Sequence, residues 1–193
     1  MSQHRHFVIH KPFGYLSQFV TNQTKRKNKK LLGELYAFPE GTMAIGRLDE
    51  DSEGLLLLTT DGKMSMQVRS KKVEKEYHVQ VDGEITDTAI ERIRKGVEIS
   101  NRKKKYLTLP GKVKRLEPPP MYPPRTKRIR DERHGSSSWI FITITEGKFR
   151  QVRKMTAAVG FPTLRLFRVR IGSILLGNLP AGGVIEVDTF HLI

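Results

Sequence analysis

The sequence predicts an α+β protein with a largely antiparallel mixed sheet, flanked by helices and loops. Segments with the period-two alternation of strands, such as residues 76–81 and 139–145, outnumber those with helical spacing. The strand-like segments also follow one another in runs, which is typical of α+β folds. A length of 193 residues suits a single domain over residues 1–193, and we expect that domain to have two lobes.

Local signals predict the individual elements. Residues 7–9 form a short buried strand that ends at the turn of residues 11–14, where Pro and Gly interrupt regular structure. Thr86 caps a helix that Gly96 ends. The other predicted elements are a helical turn or two at 31–35, a four-leucine strand at 55–58, a short helix at 63–69, a strand at 76–81, short strands up to 116, a strand at 139–145, a helix carrying Phe149, Val152, Thr156 and Val159, a strand at 164–169, and one or two strands in the tail.

Two segments have the composition of loops. Residues 117–138 contain five prolines followed by a cluster of basic residues and three serines, without a core pattern. They are predicted to form a mobile loop that acts as a spacer or as a clamp on RNA. Residues 25–30 form a second basic block, for which a solvated loop and an RNA contact are compatible interpretations.

Charge and residue usage limit the functional classes. Thirty-five Lys and Arg against 20 Asp and Glu give a net charge of +15, which indicates a polyanionic partner such as a nucleic acid. The chain has no cysteine, so disulfides, thiolate metal sites and cysteine nucleophiles are excluded. No apolar run approaches the length of a membrane span, and the first six residues are polar. We therefore expect a cytoplasmic protein that does not bind membranes.

Residues 46–62 are the segment most suggestive of chemistry. Four acidic residues, Asp49, Glu50, Asp51 and Glu53, occupy five positions of a basic protein, directly before the four-leucine strand. A calcium loop of EF-hand type is one interpretation, although its twelfth position is Thr60 rather than Glu. A carboxylate pair for glycoside hydrolysis is a second, and a charged turn with capping aspartates is a third. The composition of the segment alone favours the charged turn.

The same segment resembles a motif of the RsuA family of pseudouridine synthases. That motif reads Gly-Arg-Leu-Asp, then Ser, Gly-Leu-Leu, Thr and Asp-Gly at fixed intervals, and residues 46–62 meet every fixed position. Further stretches match the family in the right order: residues 10–14, which depart from it at His10, and residues 75–79, 146–155, 166–168 and 171–172. Several separated motifs in order are far more specific than any one of them.

The resemblance implies a pseudouridine synthase fold with a catalytic cleft across the sheet. It implies an isomerase that breaks the N1–C1′ bond of a uridine, rotates the base and rejoins it through C5, with no cofactor or metal. The first matching strand begins at residue 7, so the S4 RNA-binding domain of many relatives is expected to be missing. Within the family, the chain resembles members that modify one uridine in the peptidyl-transferase region of 23S rRNA.

The resemblance also assigns roles to residues. Asp49 is the expected catalytic carboxylate, Arg153 the cation that keeps it ionised, and Tyr77 the aromatic residue that stacks on an extruded uracil. Arg47 is expected to fill the space left by the base or to bind phosphate, and Leu166 to lie beneath the base. The remaining expected substrate-binding residues are Lys11, Arg150 and Arg168.

Two other functional classes remain open at this stage. A non-catalytic RNA-binding or ribosome-assembly protein would use the same basic surface, and a sugar-cleaving hydrolase would use the same carboxylates. The six histidines lack ligand spacing with acidic partners, so no metal is expected. A monomer is expected.

Overall fold

The computed structural model describes residues 4–21, 29–70, 73–101, 103–125, 127, 129 and 135–192. The chain divides into two compact units: unit 1 comprises Met1–Val73 and Phe167–Ile193, and unit 2 comprises Glu74–Leu166.

Helices and strands follow one another along the described ranges much as the sequence predicts, with the strands largely in runs. The helices there are α1 (Gly62–Val68), α2 (Asp87–Lys95) and α3 (Gln151–Ala158), and a 3-10 helix spans Leu32–Glu34. The strands are β1 (His6–Lys11), β2 (Met43–Ile45), β3 (Glu53–Thr59), β4 (Lys75–Asp82), β5 (Glu98–Asn101), β6 (Lys104–Leu107), β7 (Lys112–Arg115), β8 (Ser137–Ile144), β9 (Thr163–Ile171), β10 (Ile174–Leu175) and β11 (Val184–Val187). This confirms the α+β class.

Unit 1 is built on the strand order β11-β1-β3-β9. Strand β1 pairs antiparallel with β11 and with β3, while β2 adds antiparallel to β3 and β10 to β9. The pairing of β3 with β9 is parallel, with Glu53 opposite Phe167 and Gly54 opposite Arg168. The sheet is therefore mixed, as predicted.

The four leucines of β3 are fully buried because both faces of this part of the sheet are covered. Leu55 and Leu57 share a hydrophobic cluster with Val8 of the neighbouring strand. Phe7, which alternates with Val8 and so points to the opposite face, packs edge-on against Phe38 with ring centroids 5.2 Å apart. A continuous run of leucines is what a strand buried on both faces requires. The strand anchors the acidic segment that precedes it.

Unit 2 is centred on the long antiparallel pair of β4 and β8, which runs from Lys75 opposite Ile144 to Asp82 opposite Ser137. Strand β7 pairs antiparallel with β8, and β5 and β6 form a separate hairpin. Helix α2 packs against β7 and α3 against β5. Thr86 caps α2 by accepting the N–H of Ala89 at 3.2 Å, as its sequence position predicts.

The described part of the proline-rich loop lies against unit 2. The ring of Tyr122 packs on Trp139 with centroids 5.7 Å apart, and its hydroxyl lies 2.6 Å from Nδ1 of His78. Arg165 donates a hydrogen bond of 2.8 Å to the carbonyl of Pro123. These contacts anchor the first half of the loop. Residues 126, 128 and 130–134 lie outside the described residues.

Three details differ from the sequence prediction. Strand β2 was not predicted, because three residues are too few to show a period. Strand β8 begins at Ser137, so the proline-rich loop ends earlier than residue 138. The helical spacing placed Phe149 on a helix, but α3 begins at Gln151 and the Phe149 side chain is 68% exposed. Residues 25–28 of the basic block lie outside the described residues.

Candidate active site

Asp49 lies in the middle of the acidic loop, residues 46–52, which joins β2 to β3. Ser17 fixes Leu48, the residue before Asp49. The Ser17 Oγ donates to the Leu48 carbonyl at 2.8 Å and accepts the Leu48 N–H at 3.0 Å. Both residues are buried, so these bonds satisfy polar groups that have lost water. These two hydrogen bonds therefore fix the backbone position on the N-terminal side of Asp49.

Two backbone hydrogen bonds shape the acidic loop on the other side of Asp49. The Ser52 N–H donates to the Asp49 carbonyl at 3.1 Å, which closes a turn, and the Gly14 N–H donates to the Glu50 carbonyl at 2.8 Å. The Glu50 carboxylate forms an ion pair with Lys29. Asp49 itself is partly exposed. The loop thus holds its backbone firmly while leaving part of the Asp49 residue open to a ligand.

Lys11, at the end of β1, is fully buried. Its Nζ donates to the carbonyls of Pro12 at 2.9 Å and Tyr15 at 2.7 Å, and so braces the turn whose Gly14 N–H holds the acidic loop. Burial lowers the pKa of Lys11 to about 7, although the carboxylates of residues 49–53 act in the opposite direction, Glu53 most strongly. Direct RNA contact, which was expected of Lys11, does not fit this burial. Lys11 supports the loop instead.

We expect the stability of the wild-type chain to rise, relative to a Lys11→Met variant, as the pH rises from about 7 towards 10.5, the ordinary lysine value. Between those values the unfolded chain retains the Lys11 proton that the folded chain has lost, so deprotonation favours folding. Urea denaturation of both proteins at one-unit pH intervals from 6 to 10 measures this difference. Lys95→Met, at an exposed lysine of α2, controls for loss of a lysine. A difference in unfolding free energy that stays constant from pH 6 to pH 10 would contradict the lowered pKa of Lys11.

Gly54 and Arg168 meet where β3 runs beside β9. Gly54 has a φ of +104°, and a Cβ added to it would lie 2.3 Å from the Arg168 carbonyl oxygen. Arg168 is buried, and its Nε donates to the Leu55 carbonyl at 2.8 Å. This location gives Arg168 a part in holding the sheet and does not favour the expected contact with RNA. Arg47, in contrast, is exposed on the acidic loop.

Tyr77 and Leu166 lie in strands of unit 2. Tyr77 is buried on the face of β4 that also carries Val79 and Val81, as the period-two pattern predicts. Leu166 is buried in β9. For Leu166, burial suits an ordinary core leucine as well as a floor beneath a base.

Arg150 and Arg153 stand three positions apart at the start of α3. Arg150 has the left-handed backbone conformation, with a φ of +51°, directly before the first helical residue. Such a conformation costs free energy in a residue other than glycine and is enriched at functional sites. Arg153 lies in the first turn of α3 and is partly exposed. Unit 1 therefore carries Asp49, Arg47, Lys11 and Arg168, and unit 2 carries the other four candidates.

The flanking structure argues against calcium. The acidic loop is bordered by strands β2 and β3, whereas an EF-hand loop is bordered by two helices. Over the described ranges, no group of three or more His, Asp or Glu side chains is arranged to hold a metal ion. None of the helices in those ranges is long and apolar enough to cross a membrane.

Comparison with known families bears directly on these motifs. Residues 5–158 match the model of the RNA pseudouridylate synthase family, a span that includes the acidic loop, β4 and all of α3. The chain belongs to the RNA pseudouridylate synthase family. The synthase is thus an isomerase of uridine in RNA, as the order of its motifs predicts.

Relatives of this synthase include several with large-subunit names. Ribosomal large subunit pseudouridine synthase E of Vibrio parahaemolyticus is 42% identical over 183 residues, which cover 94% of this chain and 73% of the relative. The protein of the same name from Xanthomonas campestris is 41% identical and covers 91% of both chains. Ribosomal large subunit pseudouridine synthase B of Yersinia pestis is 36% identical, over 76% of this chain and 41% of the relative. The resemblance to the family is confirmed, and within the family the chain is similar to proteins named synthase E.

Solved structures share the fold of the synthase. A crystal structure of a pseudouridylate synthase superimposes with a TM-score of 0.75 at 26% identity, over 97% of this chain and 71% of that one. Human RNA Pseudouridylate Synthase Domain Containing 1 gives a TM-score of 0.55 at 15% identity, over 97% and 80% of the two chains, and shows the fold alone. The predicted pseudouridine synthase fold is confirmed.

Sequence reasoning missed two supports of the synthase's motif segments. Ser17 received no role, because nothing in its local sequence signals a hydrogen bond to a residue 31 positions away. Glu146 was recognised only as part of a motif. It accepts hydrogen bonds from the hydroxyl of Tyr106, the Leu109 N–H and the Gln151 side chain, and so fixes the turn that leads into α3. An acidic residue shortly before a helix was its only signal in the sequence.

Proposed function

We propose that this synthase converts one uridine in the peptidyl-transferase region of 23S rRNA to pseudouridine. The observation that carries this proposal is the 41–42% identity, over more than nine-tenths of the chain, to proteins named ribosomal large subunit pseudouridine synthase E. The net charge of +15 supports an RNA substrate, because lysine and arginine neutralise phosphates and release their counterions. We propose that the synthase acts on this substrate in the cytoplasm, as a monomer.

The proposed reaction is an isomerisation that retains every carbon, nitrogen and oxygen atom of the uridine. The N1–C1′ bond breaks, the uracil rotates, and a C5–C1′ bond forms; C5 then loses its hydrogen and N1 gains one. A uridine within a folded RNA must first leave its stack to expose C1′ and both faces of the base. Arg47, exposed on the acidic loop, fills the vacated space or binds the adjacent phosphate.

Asp49 is the proposed catalytic residue. As a carboxylate it attacks C1′ or the base, or removes a ribose proton, and while it is ionised it can also stabilise positive charge that develops at C1′. All three routes need the ionised form and a fixed starting position. The hydrogen bonds of Ser17 to Leu48 and of Gly14 to Glu50 support this role, because they hold the backbone on both sides of Asp49.

Tyr77 and Arg153 complete the proposed chemistry. Tyr77 stacks on the extruded uracil, and its hydroxyl assists proton transfer at C5. Arg153 supplies the cation that favours the ionised carboxylate. Leu166 and Arg150 are proposed to contact the substrate, while the burial of Lys11 and Arg168 makes them positioning residues.

Mapping pseudouridines in 23S rRNA from a strain that lacks this gene tests the proposal. A carbodiimide that marks pseudouridine should reveal one missing modification in the peptidyl-transferase region, restored by the wild-type gene. The purified synthase should install the same modification in an unmodified 23S transcript. Unchanged modification in the deletion strain, together with an inert purified protein that still binds RNA, would favour a non-catalytic assembly protein.

A further inference from the structure

Phe149 is a large apolar side chain that the fold leaves in solvent. It lies in the turn between β8 and α3, and its side chain is 68% exposed. A single exposed apolar residue is ordinary on a protein surface. The surroundings of Phe149 are not ordinary, because side chains fix the turn that carries it and several lysines lie close to it.

The turn that carries Phe149 is fixed by side chains at both ends. Gln151 links them: its Nε2 donates to the Glu146 carboxylate at 2.8 Å and its Oε1 accepts the Lys148 N–H at 3.0 Å. Burial would raise the pKa of Glu146, but hydrogen bonds from Tyr106 and other donors lower it overall, so the carboxylate stays ionised. Phe149 therefore extends from a preorganised turn, and little backbone ordering is needed when a ligand binds.

A lysine occupies one side of the Phe149 ring. The Nζ of Lys154, one turn along α3, lies 5.1 Å from the ring centroid, within the range of a cation–π interaction. The same Nζ donates to the Ser100 carbonyl at 2.7 Å, which holds it in place. The ring is thus steadied by a cation on one face while most of its surface stays open.

Further positive charge lies beside this ring. The bond from Lys154 to Ser100 brings the hairpin of β5 and β6 next to α3, and exposed lysines occupy residues 103–105 of that hairpin. Lys148, from the same turn as Phe149, places its Nζ 4.7 Å from the ring centroid of Tyr106 on the hairpin. We call the surface formed by Phe149, Lys154 and residues 103–105 the Phe149 platform.

We propose that the Phe149 platform binds an unpaired nucleobase of the substrate RNA, with the base stacked on Phe149 and its flanking phosphates neutralised by the lysines. This inference rests on the proposed function, which supplies the RNA substrate. Aromatic rings interleaved with cations are how proteins bind single-stranded nucleic acid, since every base has a face that can stack. A protein partner is less suited, because one ring amid charges is far smaller than the roughly 800 Å² per partner of a stable interface.

Binding of the full-length protein to an unmodified 23S rRNA transcript tests the platform. Phe149→Ala should raise the Kd about thirtyfold, the middle of the range for losing one stacked base. Phe149→Trp should restore binding because indole also stacks, whereas Phe149→Leu should not, because it keeps apolar bulk without an aromatic face. Leu175→Ala removes a side chain of similar exposure, 63%, from β10 and should leave the Kd unchanged.

Salt dependence separates stacking from charge at the same surface. A plot of log Kd against log salt should keep its slope in Phe149→Ala, because no phosphate contact is lost. In Lys154→Gln the slope should fall by about 1. The inference would be overturned if the Phe149→Ala variant bound the transcript with the wild-type Kd. It would equally be overturned if the variant lost affinity for an assembled ribosomal subunit but not for the transcript. If the wild-type protein binds RNA through Phe149 yet forms no pseudouridine, the proposed function fails and the platform does not.

Discussion

Asp49→Asn should lower the rate of pseudouridine formation by about three orders of magnitude or more, as expected for loss of a group that acts in the reaction itself. The amide has nearly the same shape but carries no charge, so it neither attacks nor stabilises a cationic C1′. Binding to RNA should persist, because the change removes a negative charge from a protein that binds a polyanion. Release of tritium from rRNA labelled at uridine C5 measures the reaction, since the new C5–C1′ bond displaces that hydrogen.

Asp51→Asn is the matched control for this prediction. It makes the same chemical change two positions away, in the same loop, at a residue that we regard as structural. The control should release tritium at a rate close to that of the wild type. Equal rates for wild type and Asp49→Asn, with the loop intact, would remove Asp49 from the mechanism while leaving the family assignment in place.

Gly54→Ala should destabilise the protein by about 4 kcal/mol or more, which is exceptional for one methyl group. Two effects add. The φ of +104° is strained for any residue with a Cβ, and that Cβ would lie 2.3 Å from the Arg168 carbonyl oxygen and 2.9 Å from its nitrogen. Both neighbours are backbone atoms of a paired strand, so the conflict is relieved only by separating β3 from β9. Urea denaturation followed by circular dichroism measures the loss.

Gly160→Ala separates the two effects. Gly160 has a similar φ of +93°, but a Cβ there would meet no atom within 4 Å. This variant should lose only the cost of the left-handed backbone, roughly 1–2 kcal/mol. If both variants lose the same amount, the close approach of β9 to Gly54 contributes nothing.

The sequence predicted the features that depend on local pattern or on a complete motif. Burial of β3 follows from four consecutive leucines, and the start of α2 follows from the capping preference of Thr86. The family follows from a motif that residues 46–62 meet at every fixed position, and the match of residues 5–158 to the family model confirms it. The catalytic role of Asp49 stays a prediction.

Features that depend on distant contacts could not be predicted. Lysine is almost always exposed, so nothing in the sequence shows that Lys11 is enclosed and hydrogen-bonded to carbonyls of its own turn. Phe149 has helical spacing from Val152, but the left-handed backbone of Arg150 delays the helix and turns Phe149 outwards. Periodicity does not reveal which residue adopts that conformation.

The bonds that join Ser17 and Gly14 to the acidic loop bear on the design of chimaeras within the family. Exchanging residues 10–17 alone with those of a relative would pair a foreign turn with a native loop, and a substitute lacking a hydroxyl at position 17 would orphan both main-chain groups of Leu48. The two segments are distant in the chain, since Ser17 and Leu48 lie 31 positions apart, and they should therefore be transplanted together. Grafts that move one without the other are expected to yield folded yet inactive hybrids.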